Sequence, residues 1–458
     1  MARPLRVPHT LVLLFAMMAL ALVATWLLPQ GSFETIDDGK VHALVVPGTY
    51  ALAEERVHLP WYTLFTVVPR AMAAAQDIIF FVLIVGGAVG VLRATGMIDA
   101  LLGSVLRKVG NRPLWLITGG MLVFAAGSGA IGIAEEYIPF AAMLIALCLA
   151  MRMDAMTAMG IMIGGYGIGY GVAALNPFTV QIAQGVAGLA PTSGWEFRLA
   201  LFVPFVAIGV HHVWSYSRKV QADPSQSLMQ GIEPRYLPPT TFPPMQGKRA
   251  LVLLLSLLVL AAMVWGISQQ GWYLVELGAL FLALAVVAGL VAGLGTDGTA
   301  RHFITGASEL AGTAVLVGFA RSIALILEEG QLLHTLVDAL AGPLQMVGPE
   351  LAAVGMLVVQ TVINFFIPSG SGQAFVTMPI MAPLGDLVGV SRQTAVLAYQ
   401  FGDGFSNMIV PTNIVLMSIL GIAGIPYDRW LRFIWPLLLK LTLAAAVALV
   451  VAVQIGYH

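Results

Sequence analysis

Runs of about 20 apolar residues, the length a helix needs to cross a bilayer, recur along this chain between short polar breaks. Residues 10–28, 250–267 and 274–294 are clear examples. Other runs are interrupted in one of two ways. In the first, a small-residue turn separates two apolar arms. Gly127-Ser128-Gly129-Ala130-Ile131-Gly132 leads to Glu135-Glu136 and Pro139, and Pro368-Ser369-Gly370-Ser371-Gly372-Gln373 leads to Pro379. Each arm reads as too short or too interrupted to cross alone, which predicts re-entrant helical hairpins over residues 114–151 and 351–388. Irregular backbone at such depth survives only where protein or a water-filled cavity satisfies it. In the second, a helix is split near its middle. One split is Leu175-Asn176-Pro177-Phe178-Thr179, within residues 154–189; the other runs from Asp403-Gly404-Phe405-Ser406-Asn407 through Pro411-Thr412-Asn413, within residues 394–424. Proline removes a backbone donor and frees a carbonyl one turn earlier.

These breaks recur in the same order. Gly96, in Ala94-Thr95-Gly96-Met97-Ile98-Asp99, is echoed by Gly330 in Glu328-Glu329-Gly330-Gln331-Leu332-Leu333, at an offset of 330 − 96 = 234. Pro177 and Pro411 share that offset, and Gly185-Val186-Ala187-Gly188 returns as Gly421-Ile422-Ala423-Gly424. The flanks differ in sign: Arg107, Lys108 and Arg112 follow the first copy, while Glu328, Glu329, Asp338 and Glu350 surround the second. Basic flanks stay in the cytoplasm, so copies of opposite bias insert most simply in opposite orientations. That is the pattern of inverted repeats in secondary transporters. The expected fold is an all-α polytopic membrane protein of two inverted-topology repeats, each with a re-entrant hairpin and a discontinuous transmembrane helix.

Residues 1–59 then hold a first transmembrane helix and an outward-facing loop containing Glu34, Asp37, Asp38, Glu54 and Glu55. Repeat one covers 60–216, a Pro-, Ser- and Gln-rich cytoplasmic linker 217–248, and repeat two 249–458. Arg3 and Arg6 place the N-terminus in the cytoplasm. The first apolar run lacks a small-residue cleavage site and reads as a retained helix rather than a signal peptide.

Composition agrees. Of 458 residues, 59% are hydrophobic and only 10% charged, against about 25% charged in soluble domains. A net charge of −1 argues against a nucleic-acid partner. The single cysteine, Cys148, excludes an internal disulfide and a cysteine-based metal site. Zinc-protease, nucleophile-elbow and phosphate-loop patterns do not occur. The expectation is a non-enzymatic protein without cofactor, whose partners are the lipid bilayer and a small-molecule substrate.

Carboxylates in apolar surroundings are costly and usually mark a substrate, ion or proton path. Glu135 and Glu136 are neighbours that do not share a helix face, so one meets the site and the other caps a helix or faces water. Asp403 lies beside Asn407, Thr412 and Asn413. The second hairpin contributes Asn364, Ser369, Gly370, Ser371, Gly372 and Gln373, whose small residues expose amides suited to a carboxylate. Ser128, Asn176 and Thr179 are the matching polar positions of repeat one. A coupling ion, Na⁺ or H⁺, would sit near Asn176, Asp403 and Asn407. Arg321, inside an apolar run, pairs with a buried carboxylate, contacts a substrate carboxylate, or snorkels to an interface. His211 and His212 are adjacent and point apart, which disfavours a metal site.

At these residues the chain resembles the YfcC family, within the C4-dicarboxylate anaerobic carrier group of the ion-transporter superfamily. The resemblance spans the chain. It rests on Arg6-Val7-Pro8-His9-Thr10, Ala134-Glu135-Glu136 before Pro139, Leu175-Asn176-Pro177-Phe178-Thr179, Ile367-Pro368-Ser369-Gly370-Ser371-Gly372-Gln373, and Gln400-Phe401-Gly402-Asp403-Gly404. It implies a transport domain moving elevator-fashion beside a dimerising scaffold in a bacterial inner membrane. It also implies either of two substrates, a basic amino acid exchanged in arginine–ornithine fashion or a C4-dicarboxylate. The net acidic candidate site favours the amino acid; a doubly anionic substrate would need Na⁺ or H⁺ to accompany it.

Overall fold

The computed structural model describes residues 10–36, 44–46, 49–109, 112–176, 178–190, 192–232, 243–270, 272 and 274–458. Arg3, Arg6, Asp37, Asp38 and Pro177 lie outside the described residues, as do the side chains of Glu136 and Pro139. The chain is almost wholly helical. Its first half runs through α1 (Thr10–Leu27), α2 (Thr63–Ala74), α3 (Gln76–Ala94), α4 (Met97–Val109), α5 (Pro113–Ile131), α6 (Ala141–Ala150), α7 (Ala155–Gly171), α8 (Val180–Val186) and α9 (Trp195–Ala222). After α10 (Lys248–Gln270) come α11 (Leu274–Ala292), α12 (Gly295–Glu309), α13 (Ala311–Glu329), α14 (Leu333–Ala341), α15 (Pro349–Phe366) and α16 (Gly370–Val388). The last three are α17 (Arg392–Ser406), α18 (Ile414–Ala423) and α19 (Tyr427–Gln454). Two short antiparallel strand pairs occupy the loop after α1: β1 (Gly31–Ser32) with β4 (Ala51–Leu52), and β2 (Thr35–Ile36) with β3 (Leu44–Val45).

Among the described residues five helices, α5, α9, α11, α15 and α19, are long and apolar enough to cross a membrane; counting the bent pairs α2–α3 and α12–α13 gives seven. The chain is a multi-pass membrane protein. The largest apolar core joins α5–α9 to α15–α19. Smaller cores hold α1 and α2 to α13 through Leu14, Met18, Val67, Ala320 and Ile323, and α3 to α11 through Phe81, Val85, Leu277 and Phe281. Cys148 packs in the largest core.

Glycine decides where the helices approach most closely. A Cβ on Gly404 would lie 2.5 Å from Gly171 Cα, so α7 and α17 cross backbone to backbone. On α3, a Cβ on Gly86 would lie 2.8 Å from Gly306 O of α12. Small residues at such crossings are what helix association in lipid uses in place of a hydrophobic driving force.

Three expectations need correction. The first hairpin arms are not too short: α5 has 19 residues and α15 has 18, and both are long enough to cross alone. Helix α5 runs straight through Gly127, Ser128 and Gly129, and turns only at Gly132, which caps it in the left-handed region at φ 77°. Each interior glycine costs a helix about 1 kcal/mol, and packing outweighs it here: a Cβ on Gly129 would stand 3.0 Å from Gly169 O of α7. Asp403 is likewise not in unwound chain but in the last turn of α17; the break follows it, over residues 407–413. Finally, the linker does not start at 217. Helix α9 continues to Ala222, and the stretch beyond is held by Asp154, whose Oδ2 accepts from Ser227 Oγ (2.6 Å) and Tyr216 Oη (2.5 Å).

Candidate functional site

The site forms where α7 and α17 end against each other. Helix α7 stops at Gly171 and α8 resumes at Val180; α17 stops at Ser406 and α18 resumes at Ile414. Asparagine side chains take over the backbone groups released by each stop. Asn176 Oδ1 accepts from the amides of Phe178 (2.9 Å) and Thr179 (3.2 Å), while its Nδ2 donates to Ser128 O on α5 (3.0 Å). Asn413 Oδ1 accepts from the Leu416 amide (2.9 Å) and caps α18. Ser128 Oγ turns back to Ile133 O (2.8 Å), and Thr412 Oγ1 donates to Phe365 O (2.8 Å). In both halves the break is therefore bonded to the first hairpin arm.

Around Asp403 the polar groups form a chain. Asn364 Nδ2 donates to Asp403 O (3.1 Å), Ser406 Oγ (2.8 Å) and Asn407 Oδ1 (2.8 Å). Asn413 Nδ2 reaches the same Asn407 oxygen (2.9 Å), and Asn407 Nδ2 donates to Asp403 Oδ1 (3.1 Å). Two glutamines are anchored similarly. Gln400 Nε2 donates to Tyr170 O (2.7 Å) and Thr179 Oγ1 (2.7 Å), spanning the α7–α17 crossing. Gln373 Nε2 donates to Gln360 O (2.9 Å) and Gln360 Oε1 (2.7 Å), and Gln360 Nε2 passes on to Thr377 Oγ1 (3.0 Å).

Four oxygens of this cluster are buried and accept no hydrogen bond from the protein: Asn364 Oδ1, Gln373 Oε1, Gln400 Oε1 and Asp403 Oδ2. Their identity as oxygens is fixed. Each of the three amides donates to a backbone carbonyl, and flipping it would set oxygen against oxygen. Buried acceptors are normally paired, and a carboxylate oxygen left unpaired is the most expensive of them. Among the described residues no Lys or Arg forms an ion pair with Asp403. The cluster is thus built to receive positive charge or donated protons.

The second hairpin meets it directly. Ser369 caps α16, its Oγ accepting from the Gly372 amide (3.3 Å). Tyr399 Oη donates to Gly370 O (2.6 Å). A Cβ on Gly370 would lie 3.2 Å from Asp403 Oδ2 and 2.5 Å from Thr179 Cγ2, so only glycine allows the start of α16 to approach them this closely. Ser371 follows in the first turn of α16, half-buried. Glu135, half-buried, opens the 3₁₀ turn Glu135–Phe140 after α5. Buried Tyr166 lies within electrostatic reach of both Glu135 and Asp403.

Two expected residues sit elsewhere. Arg321 is not at this cluster; it pairs with Glu328 on its own helix (2.9 Å), both about one-third exposed. His212 Nε2 meets Phe433 O (2.9 Å) whereas His211 lies against Ser215 and lines an apolar cleft of about 410 Å³ between α5 and α9. Sequence reasoning missed Gln360, Tyr399 and Gln400. The signal was available for two of them: Tyr399 and Gln400 stand four and three residues before Asp403, on the same face of a helix.

Residues 7–454 match the family described as C4-dicarboxylate anaerobic carrier. The Escherichia coli K12 protein named "Putative basic amino acid antiporter YfcC" is 32% identical, over 98% of this chain and 97% of its own length. A Haemophilus influenzae protein without an assigned function is 29% identical over the same shares. The crystal structure of the Alcanivorax borkumensis YdaH transporter matches 98% of this chain and 99% of its own, at 17% identity and a TM-score of 0.45.

Proposed function

The chain belongs to the C4-dicarboxylate anaerobic carrier family of membrane transporters, and from that footing we propose that it is an inner-membrane exchanger of cationic amino acids. The observation that carries this reading is Asp403: buried, in a helix that stops inside the protein, with Oδ2 accepting nothing from the protein and no cationic partner among the described residues. A substrate bearing positive charge meets that requirement. A dicarboxylate would bring two further negative charges to the same oxygens and depend on Na⁺ or H⁺ to offset them. The name of the E. coli relative points the same way.

The inverted-repeat part of the proposal draws support from packing. Helix α5 packs on α7 and α9 as α15 packs on α17 and α19; α3 packs on α11 and α12 as α13 packs on α1 and α2. Asp154 and Ser391 cap α7 and α17 in the same way, each bonded to the amide of the threonine three residues on. Thr179 and Asn413, immediately before α8 and α18, keep the offset 413 − 179 = 234. The matched sets begin at α1 and α11, earlier and later than the boundaries at 60 and 249 expected from sequence. Helix α10 then has a purpose. A second copy inserted upside down must begin on the opposite side, so one extra crossing is needed between the copies. Helices α5–α9 and α15–α19 share the largest core, which supports reading them as one body, while α1–α3 and α11–α13 meet it along a packed interface through Val82, Leu310, Leu147 and Ile414.

Counterflow in proteoliposomes tests the reading. Vesicles loaded with arginine should take up labelled arginine or ornithine against excess internal substrate. Uptake of succinate instead, dependent on Na⁺ or a proton gradient, would replace amino-acid exchange by dicarboxylate transport.

A further inference from the structure

The apolar cleft between α5 and α9 ends at a group of cations that the Asp403 cluster does not use. Val203, Ala207, Trp214 and Arg218 stand four, seven and four residues apart on α9 and so share one face. The first three line the cleft, opposite Leu114 and Thr118 of α5. Val203 and Leu114 are exposed, so the described residues leave the cleft open to the membrane. Its volume of about 410 Å³ lies within the range of about 300–1,000 Å³ that takes a small ligand. From Val203 to Trp214 it runs 214 − 203 = 11 residues, about 16 Å along the helix. That is the depth of one leaflet in a hydrocarbon core about 30 Å thick. At the end of the stripe the Arg218 guanidinium lies over the Trp214 ring, 5.2 Å from its centre, which holds the charge at the mouth. Arg112, the N-cap of α5, and Lys219 are exposed at the same end. Among the described residues none of the three cations forms an ion pair, and Asp223, the C-cap of α9, turns to Ser225 and Gln226 instead. Exposed Trp115 opens α5 at this level, as interfacial aromatic residues do.

We infer that this cleft binds one anionic phospholipid. An acyl chain lies along the α9 stripe, and the head-group phosphate meets Arg218 and Arg112. A guanidinium offers paired donors that match phosphate oxygens, so arginine is the apt residue at the mouth. On the orientation expected from the basic flanks, the mouth faces the cytoplasm, the side whose leaflet carries the negative surface potential. A zwitterionic lipid fits the stripe equally well but brings a further positive charge to cations that already lack partners. A free phosphate meets the cations and leaves the stripe bare. Only a molecule with both an apolar chain and a net negative head satisfies the two ends together. Because the lipid bridges two helices of the core that also holds α17, its binding is read in the stability of that body.

The test uses the full chain in a non-ionic detergent, supplied with phosphatidylglycerol or phosphatidylcholine of identical acyl chains. Native mass spectrometry reads the lipid retained, and a thermal melt reads its effect. One phosphatidylglycerol should stay on each chain and raise the melting temperature, with phosphatidylcholine retained far less. Arg112→Gln combined with Arg218→Gln should weaken phosphatidylglycerol about 25-fold, since each basic residue near anionic lipid contributes about fivefold. Arg432→Gln removes an exposed cation from α19, whose Phe433 packs on Tyr216 near the same end of α9, and should leave retention unchanged. Ala207→Trp keeps every charge, fills the cleft and should abolish retention. Equal retention of the two lipids, or full retention by the double variant, would overturn the head-group contact. Full retention by Ala207→Trp would put the chain elsewhere and overturn the site. Two further results would also refute a lipid here. One is inorganic phosphate raising the melting temperature as far as phosphatidylglycerol does. The other is a dimer, free of lipid, that Ala207→Trp dissociates, which would give the cleft to a second copy of the chain.

Discussion

Replacing Gly404 by alanine sets two effects of opposite sign against each other, and distances decide which wins. In an open helix, Gly→Ala stabilises by about 1 kcal/mol. At Gly404 the new methyl would stand 2.2 Å from Gly171 N and 2.5 Å from Gly171 Cα, and ordinary contact begins near 3.4 Å. The obstacle is backbone and cannot swing aside, so α7 and α17 must separate by about 1.2 Å. Overpacking of that kind costs about 1–3 kcal/mol or more, enough to reverse the propensity gain. The separation also falls on the two 2.7 Å bonds from Gln400 Nε2 to Tyr170 O and Thr179 Oγ1, which would stretch toward about 3.9 Å and cease to be hydrogen bonds. Gly404→Ala should therefore lower the melting temperature in detergent and impair exchange together. Gly185→Ala is the control: it lies in α8 with nothing within 4 Å of the added methyl, and should stabilise by about 0.5–1 kcal/mol without changing transport. A Gly404→Ala protein as stable and active as the parent would refute the backbone crossing.

Three other changes probe features away from the crossing. Asp154→Ala removes the α7 cap and leaves Tyr216 Oη without its acceptor, so stability should drop by about 2–4 kcal/mol; limited proteolysis should then cut near residues 223–232, and an unchanged digestion pattern would refute the linker clasp. Arg321→Gln should alter stability by no more than about 1 kcal/mol, because its ion pair with Glu328 is part-exposed, and arginine counterflow should persist; its loss would return Arg321 to the substrate path. His334 Nδ1 accepts the Phe33 amide (3.1 Å), and burial holds this histidine below its usual value of 6.5. A depressed histidine favours the fold when neutral, so the attachment of the first loop should be complete above pH 6.5 and weaken as pH falls through the lower folded value. Corrected for the intrinsic pH dependence of exchange, the protection factor at Phe33 should fall on acidification in the native protein but stay flat in His334→Gln.

What was legible in the sequence was polarity out of place. Asp403, Asn176 and the Ser369–Gly372 turn stand out because apolar helices have no other use for them. The apolar runs, the breaks near Asn176 and Asn413 and the family resemblance followed from the same contrast. Burial and pairing were not legible. Nothing in the run around Arg321 distinguishes a residue that reaches a substrate from one that reaches Glu328 seven positions on, because both are equally apolar in context. Gln400 was overlooked for the opposite reason: a neutral amide in a helix is cheap, and its importance comes only from Tyr170 O and Thr179 holding its nitrogen so that its oxygen is stranded. The glycines at 127–132 were misread as a break because propensity was allowed to outweigh packing. Gly129 is there for the approach of α7.

A stranded carboxylate also bears on why the protein should exchange rather than leak. On the proposed reading, the body carrying Asp403 crosses the membrane only when that charge is offset, by substrate or by a proton. An unpaired buried carboxylate costs several kcal/mol; taking about 3 kcal/mol, the unloaded return would be slowed by roughly 150-fold relative to the loaded one. Internal substrate should then accelerate uptake by about that factor under conditions where return is limiting. Asp403→Asn keeps the shape and the Asn407 contact but removes the charge. Its affinity for arginine should fall, and at saturating substrate its dependence on internal substrate should fall toward one, with net efflux appearing where the parent shows none. Measuring both fluxes on the same vesicles separates the two effects. Should the variant keep the parent's full trans-stimulation, the barrier to empty return lies elsewhere, and Asp403 serves binding alone.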